Sequence, residues 1–263
     1  MISPGQALLL GLIQGLTEFF PISSSGHLVL GAALLGVNPG GVAFEVSVHV
    51  ATMLAVVLYY ARRLYALAGG ALRGEREAWR FIGKLAAASV PAAAVGLTLG
   101  ARIERAFDAP AFAAGMLLVT GAVLWWSRGF RGAAASGPEP SWATALWVGV
   151  AQAFALLPGI SRSGMTVVAG LRRGLDPVRA AEFSFLLSLP AIFGASILEV
   201  PKLFTGDVNA SWVALGIAFV AAGVSGFVAL VYLVRWLERG HLHRFAYYCW
   251  AVGALFLLGW AMR

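Results

Sequence analysis

Charge is scarce in this sequence. Of 263 residues only 12% are Asp, Glu, Lys or Arg, while 60% are hydrophobic and the mean hydropathy is +0.82. A soluble domain of this size carries about twice that charged fraction. The surplus apolar surface calls for lipid, and the length leaves no room for a sizeable soluble domain beside the membrane one. Cysteine is nearly absent: Cys249 stands alone in an apolar run, which excludes a disulfide framework within the chain and leaves it as filler. No basic residue precedes the first apolar run, and no small-residue cleavage site follows it. The first helix is therefore expected to be retained, not removed as a signal. The net charge of +7 would suggest nucleic acid in a soluble protein. Here the basic residues lie between apolar spans, so they speak for membrane topology and against nucleic acid.

What is present falls into two similar halves. Apolar segments at 6–20 and 26–35 are each shorter than the roughly 17–25 residues that cross a bilayer. They are separated by Pro21-Ile22-Ser23-Ser24-Ser25. Longer spans follow near 44–61, 81–100 and 111–126. Short segments return at 142–157 and 165–171, around Pro158-Gly159-Ile160-Ser161-Arg162-Ser163, and long spans near 183–200, 212–234 and 245–261 complete the chain. A shift of 138 aligns Ala7-Leu8, Gly11, Gln14, Ile22-Ser23 and Ser25-Gly26 with Ala145-Leu146, Gly149, Gln152, Ile160-Ser161 and Ser163-Gly164, eight identities over twenty positions. A shift of 137 aligns Glu45-x-Ser47 with Glu182-x-Ser184.

Short, Gly/Pro-interrupted segments at matching places predict broken or re-entrant helices, with protein or water around the break. The expected fold is an all-α integral membrane domain over 1–263. It is an inverted repeat of two halves, about 1–130 and 140–263, each a re-entrant hairpin plus three transmembrane helices. Three spans per half is odd, so the halves must be inverted. The charges agree. With the segment after the first long span inside, Arg62, Arg63, Arg73, Arg76, Arg80, Arg128, Arg131, Arg172, Arg173, Arg179, Arg235, Arg239 and Arg244 are cytoplasmic. Arg102, Arg105, Lys202 and Arg263 are outside, thirteen against four. Both termini then lie outside, and the two hairpin tips meet near mid-membrane.

The chemistry lies at the breaks. Gln14 and Glu18 are four apart and share one helix face. Glu18 ends an apolar helix, where a carboxylate needs a partner or water. The competing reading ties it to backbone amides of the break. His27, across the serine turn from Glu18, is read into the same site. Arg162 sits at the tip of the second hairpin, too deep to snorkel, and suits an anion. The bland alternative is a buried Arg162–Glu18 ion pair without catalysis. Ser161, Ser163, Gly164 and Thr166 beside it look like a nest for phosphate. An acid, an imidazole, hydroxyls and a guanidinium together suit phosphoryl transfer. Glu45 and Glu182 read as helix-start residues, and Asp176-Pro177 as a helix start.

The motifs Gln14-x-x-x-Glu18 with Pro21-Ile22-Ser23-Ser24-Ser25-Gly26-His27, and Pro158-Gly159-Ile160-Ser161-Arg162-Ser163-Gly164-Met165-Thr166, resemble those of the bacterial undecaprenyl-diphosphate phosphatase family, the bacitracin-resistance proteins. The resemblance spans the chain. It implies removal of the terminal phosphate of undecaprenyl diphosphate in the bacterial inner membrane and an inverted-repeat fold with re-entrant helices. It also implies a divalent cation (Mg2+ or Ca2+), and leaves room for a homodimer. By motif it carries catalytic roles to Glu18, Ser24, His27 and Arg162, with Glu18 also as metal ligand. Substrate binding would fall to Gln14, Ser23, Ser25, Gly26, Ser161, Ser163, Gly164 and Thr166. Gln14 occupies the first acidic position; it cannot act as a base and would ligate a metal weakly, which moves that work to Glu18. The nucleophile stays open between Ser24, with His27 or Glu18 as base, and His27 itself. A transporter or flippase without hydrolysis is the alternative function. A likeness to the phosphatidic-acid-phosphatase-related enzymes is local, because no His follows Ser161-Arg162 at the spacing they need.

Overall fold

The computed structural model describes residues 2–37, 42–130, 139–205 and 211–262, and among them there are helices and no strands. Helix α1 (Pro4–Phe19) starts on a capping box. Gln6 N–H donates to Ser3 Oγ (3.3 Å), Ser3 N–H donates to Gln6 Oε1 (2.9 Å), and Pro4 fills the first turn. It stops before Pro21, which cannot continue a helix. Helix α2 (Ser24–Leu35) ends at Gly36 in the left-handed region, φ 63°.

The first long apolar stretch does not run straight. Helix α3 (Val42–Tyr59) gives way to α4 (Ala61–Leu72) with a bend of 76°. The segment expected as a charged loop is thus a separate amphipathic helix, with Leu67 and Gly70 buried and Tyr65 and Leu72 exposed. Arg63 holds it. Its Nε donates to Glu182 Oε1 and its Nη2 to Glu139 Oε1, both at 2.7 Å, and the guanidinium lies 4.7 Å above the Phe81 ring.

Helix α5 (Arg76–Phe107) is longer than the span expected at 81–100. Hydropathy marks the lipid-suited stretch, whereas Arg76, Glu77, Arg80, Glu104 and Arg105 are charged but good helix formers and extend the helix past it. Next come α6 (Pro110–Trp126), α7 (Trp142–Phe154), α8 (Arg162–Arg172), α9 (Pro177–Thr205), α10 (Trp212–Glu238) and α11 (Phe245–Ala261). Asp176 caps α9, accepting from the backbone N–H groups of Val178 and Arg179 at 3.0 Å each. Glu45 lies in the first turn of α3. Glu182 is a turn further into its helix than a helix-start residue would be, and is instead the acceptor of Arg63 and Arg179.

Four described helices are long and apolar enough to cross a membrane, five with the bent pair α3–α4 counted as one span. At 17 residues, α11 sits at the bottom of the crossing range. The protein is multi-pass. The short helices α1 and α7 each bury one face by close approach to a long helix. A Cβ on Gly11 of α1 would stand 2.5 Å from the Ala218 carbonyl oxygen of α10, and one on Gly149 of α7 would stand 2.8 Å from Ala88 Cα of α5. Small residues at such crossings let backbones touch where lipid offers no hydrophobic drive.

Candidate active site

The two breaks are built alike. Ser23 caps α2, its Oγ accepting from Gly26 N–H (3.2 Å), and lies 3.3 Å from Ser25 Oγ. Ser161 caps α8, its Oγ accepting from Gly164 N–H (3.1 Å), and lies 3.2 Å from Ser163 Oγ. Serine oxygens thus satisfy amides that open helices leave free. Ser23 takes φ 68°, the one positive φ at a non-glycine residue among those described. Such a conformation persists only where the surroundings enforce it, and it concentrates at functional sites.

The breaks touch. Ser163 Oγ donates to the Phe20 carbonyl at 3.3 Å. A Cβ on Gly26 would come within 2.9 Å of Gly159 Cα. Gly159 itself has φ 93° and faces the Ala113 carbonyl and Met116 Cβ. Thr120 of α6 pins the second break, donating to Gly159 O (2.7 Å) and accepting from Ser161 N–H (3.0 Å).

Glu18 is the centre of the site and is buried, at 8% exposure. One carboxylate oxygen accepts from Ser24 Oγ at 2.5 Å and from Gln14 Nε2 at 3.1 Å; the other is ion-paired with Arg162 Nη2. The ion pair named by the catalysis-free alternative is therefore present, and it is not alone, because a serine hydroxyl shares the carboxylate. Arg162 Nη1 and Gln14 Oε1 are buried with no hydrogen-bond partner among the described residues. A buried donor on a cation left without an acceptor costs on the order of 1–3 kcal/mol, which an anion would relieve. His49 of α3 is held by its own helix, its Nδ1 donating to the Glu45 carbonyl (2.8 Å).

His27 has no hydrogen bond to Ser24. Its Nδ1 lies 2.8 Å from the Ser23 carbonyl, and its Nε2 lies 3.0 Å from Tyr248 Oη. Thr166 is fully buried; its hydroxyl donates to the Arg162 carbonyl (2.7 Å) and shares a 2.5 Å contact with Ser184. It braces the backbone under Arg162. Beside the site lies a cavity of about 500 Å³ between α1, α10 and α11, lined mostly by Leu16, Phe20, Ile22, Trp236 and Phe245, with His27 in its wall.

A family model described as bacitracin resistance protein BacA matches residues 7–255. The chain belongs to that family. Curated BacA-family relatives include the undecaprenyl-diphosphatase of Desulforapulum autotrophicum, 37% identical over 96% of this chain and 97% of that protein. The undecaprenyl-diphosphatase of Desulfosudis oleivorans is 40% identical over 97% and 98%, and that of Salinibacter ruber 41% identical over 95% and 97%. In this BacA-family chain the contiguous motifs contain the acid, the serines, the imidazole and the guanidinium. They do not contain Thr120, His49, Ser184 or Tyr248. Thr120 carried a usable signal, a polar residue in an otherwise apolar span, since buried polar groups need partners. Tyr248 carried none, because its partner lies 221 residues away.

Proposed function

We propose that this chain is an undecaprenyl-diphosphate phosphatase of the bacterial inner membrane. It hydrolyses the lipid diphosphate to the monophosphate and free phosphate, and so returns the carrier to cell-wall synthesis. The carrying observation is the Glu18 carboxylate, which takes the Ser24 hydroxyl on one oxygen and Arg162 on the other, while Arg162 Nη1 is left buried without a partner. The side chains proposed as nucleophile, base and anion receptor stand together, and the names of the curated relatives support the substrate.

Ser24 attacks the terminal phosphorus and its proton passes to Glu18. The bond from phosphorus to the bridging oxygen breaks, and the electron pair leaves with the prenyl phosphate. Water then attacks the phosphoserine, giving one proton to a phosphate oxygen, and Glu18 returns its proton to Ser24 Oγ as that bond breaks. Arg162 neutralises the transferred phosphoryl oxygens. When the diphosphate takes Arg162, Glu18 is released from its ion pair and free to act as the base. His27, in the wall of the apolar cavity, stands where the leaving prenyl phosphate would be. Since its Nδ1 is held by a backbone carbonyl and it does not touch Ser24, the base role falls to Glu18.

A divalent cation fits this donor set in a limited way. No group of three His, Cys, Asp or Glu side chains converges among the described residues. Glu18 and the unpartnered Gln14 Oε1 would hold a Mg2+ or Ca2+ that the diphosphate completes, as Mg2+ commonly binds through one carboxylate and substrate phosphates. It would supply charge neutralisation on the phosphates.

We also read the halves as inverted repeats. Gly11 and Gly149 are repeat-related positions, each packed on an alanine of a long helix in the other half (Ala218 and Ala88), and the two serine caps correspond. With the basic loops inside, both termini lie outside. A homodimer is compatible with these features.

The test is phosphate release from undecaprenyl diphosphate by the purified protein in detergent with Mg2+. Wild type releases phosphate; Arg162→Ala loses on the order of a hundredfold or more. Unchanged turnover in Arg162→Ala would sink the site.

A further inference from the structure

Tyr248 lies outside both motifs, yet it is the side chain that meets the reactive edge of His27. A carbonyl oxygen only accepts, so at 2.8 Å from the Ser23 carbonyl the imidazole Nδ1 must carry its proton. In the neutral ring Nε2 then holds only a lone pair, and the Tyr248 hydroxyl 3.0 Å away donates to it. The rings are nearly parallel, 13° apart in plane with centroids at 5.6 Å. Stacking fixes the plane of the imidazole, and its two hydrogen bonds fix the rotation about that plane. Both rings wall the 500 Å³ cavity.

We propose that Tyr248 is a positioning residue for His27, which rests on the phosphatase reading above. Its hydroxyl holds the Nε2 edge of the ring at the cavity wall, in the Nδ1–H tautomer that the Ser23 carbonyl sets. Tyr248 acts through His27 and touches no reacting atom.

The experiment is a double-mutant cycle on the full-length protein in detergent with undecaprenyl diphosphate, paired with 15N spectra of the histidine rings. Tyr248→Phe keeps the stack and removes the hydroxyl. It should lower kcat about three- to tenfold, the worth of one lost hydrogen bond, with KM within about twofold. In a His27→Ala background the same change should cost nothing further, because the pair acts as a unit. The His27 Nε2 resonance should shift on Tyr248→Phe while the melting temperature holds. Wild-type kcat in Tyr248→Phe, an equal additional fall in the His27→Ala background, or an unmoved Nε2 resonance would each overturn the proposal. Should wild type release no phosphate at all, the phosphatase reading fails, and the resonance still decides whether the hydroxyl holds the ring.

Discussion

The first and second breaks share a frame and divide the chemistry. Each has a serine cap, a second serine two residues on and a buried glutamine on the helix before it. The frame tolerates different cargo because the capping bonds use serine oxygens and backbone amides, and leave other side chains free. In the first, Gln14 donates to Glu18 four residues later. In the second, the residue four after Gln152 is Leu156, and both amide atoms of Gln152 are buried without partners among the described residues. One glutamine serves a carboxylate, and the other marks where its counterpart has a leucine. The backbone differs too: the first break places its positive φ on Ser23, the second on Gly159.

This division can be tested by removing one half's contribution at a time. The largest effect is expected at the first break. Ser24→Ala should cut phosphate release about a thousandfold or more while the protein stays folded, since a nucleophile is lost and only small volume with it. Full activity in Ser24→Ala would move the attack to His27. Next comes the second break's backbone. Gly159→Ala meets both a φ of 93° and the Ala113 carbonyl, so a loss of about 2–4 kcal/mol in stability is expected, read as a lowered melting temperature in detergent. Gly36→Ala, with open space around a φ of 63°, should cost about 1 kcal/mol. The smallest effect has the opposite sign. Gln152→Leu removes two unpartnered polar atoms and should raise stability by about 1 kcal/mol with activity kept. Gln14→Leu, its counterpart, should instead lower activity, because Glu18 loses a donor. Equal outcomes for the two glutamines would erase the distinction drawn between the breaks.

The site was legible in the sequence where it is contiguous. Glu18 to His27 and Pro158 to Thr166 stand out because polar, Gly- and Ser-rich stretches are costly in apolar surroundings, so their composition is a signal in itself. The meeting of Arg162 and Glu18 was readable only as the catalysis-free alternative, since the sequence reading assigned Arg162 to an anion; the ion pair is present. The braces were less legible. Thr120 stood out as a polar residue in an apolar span, but the partners of Thr120, Ser184 and Tyr248 lie on other elements and no local pattern names them. The helices were legible by hydropathy and their ends were not, because Arg76 and Arg105 stay helical in water as readily as alanine stays helical in lipid. Helix α4 was hidden for a similar reason: its arginines suggested a loop, and only the clamp on Arg63 shows why the chain turns there.

That clamp also has a meaning in time. Arg63 belongs to the first third of the chain, but Glu139 and Glu182, which hold it, are synthesised much later. Glu18 likewise waits for Arg162. As the chain emerges N-terminus first, the early helices carry a cation and an anion whose partners do not yet exist. The arrival of Glu139, Arg162 and Glu182 then neutralises charges that the first helices have held in readiness.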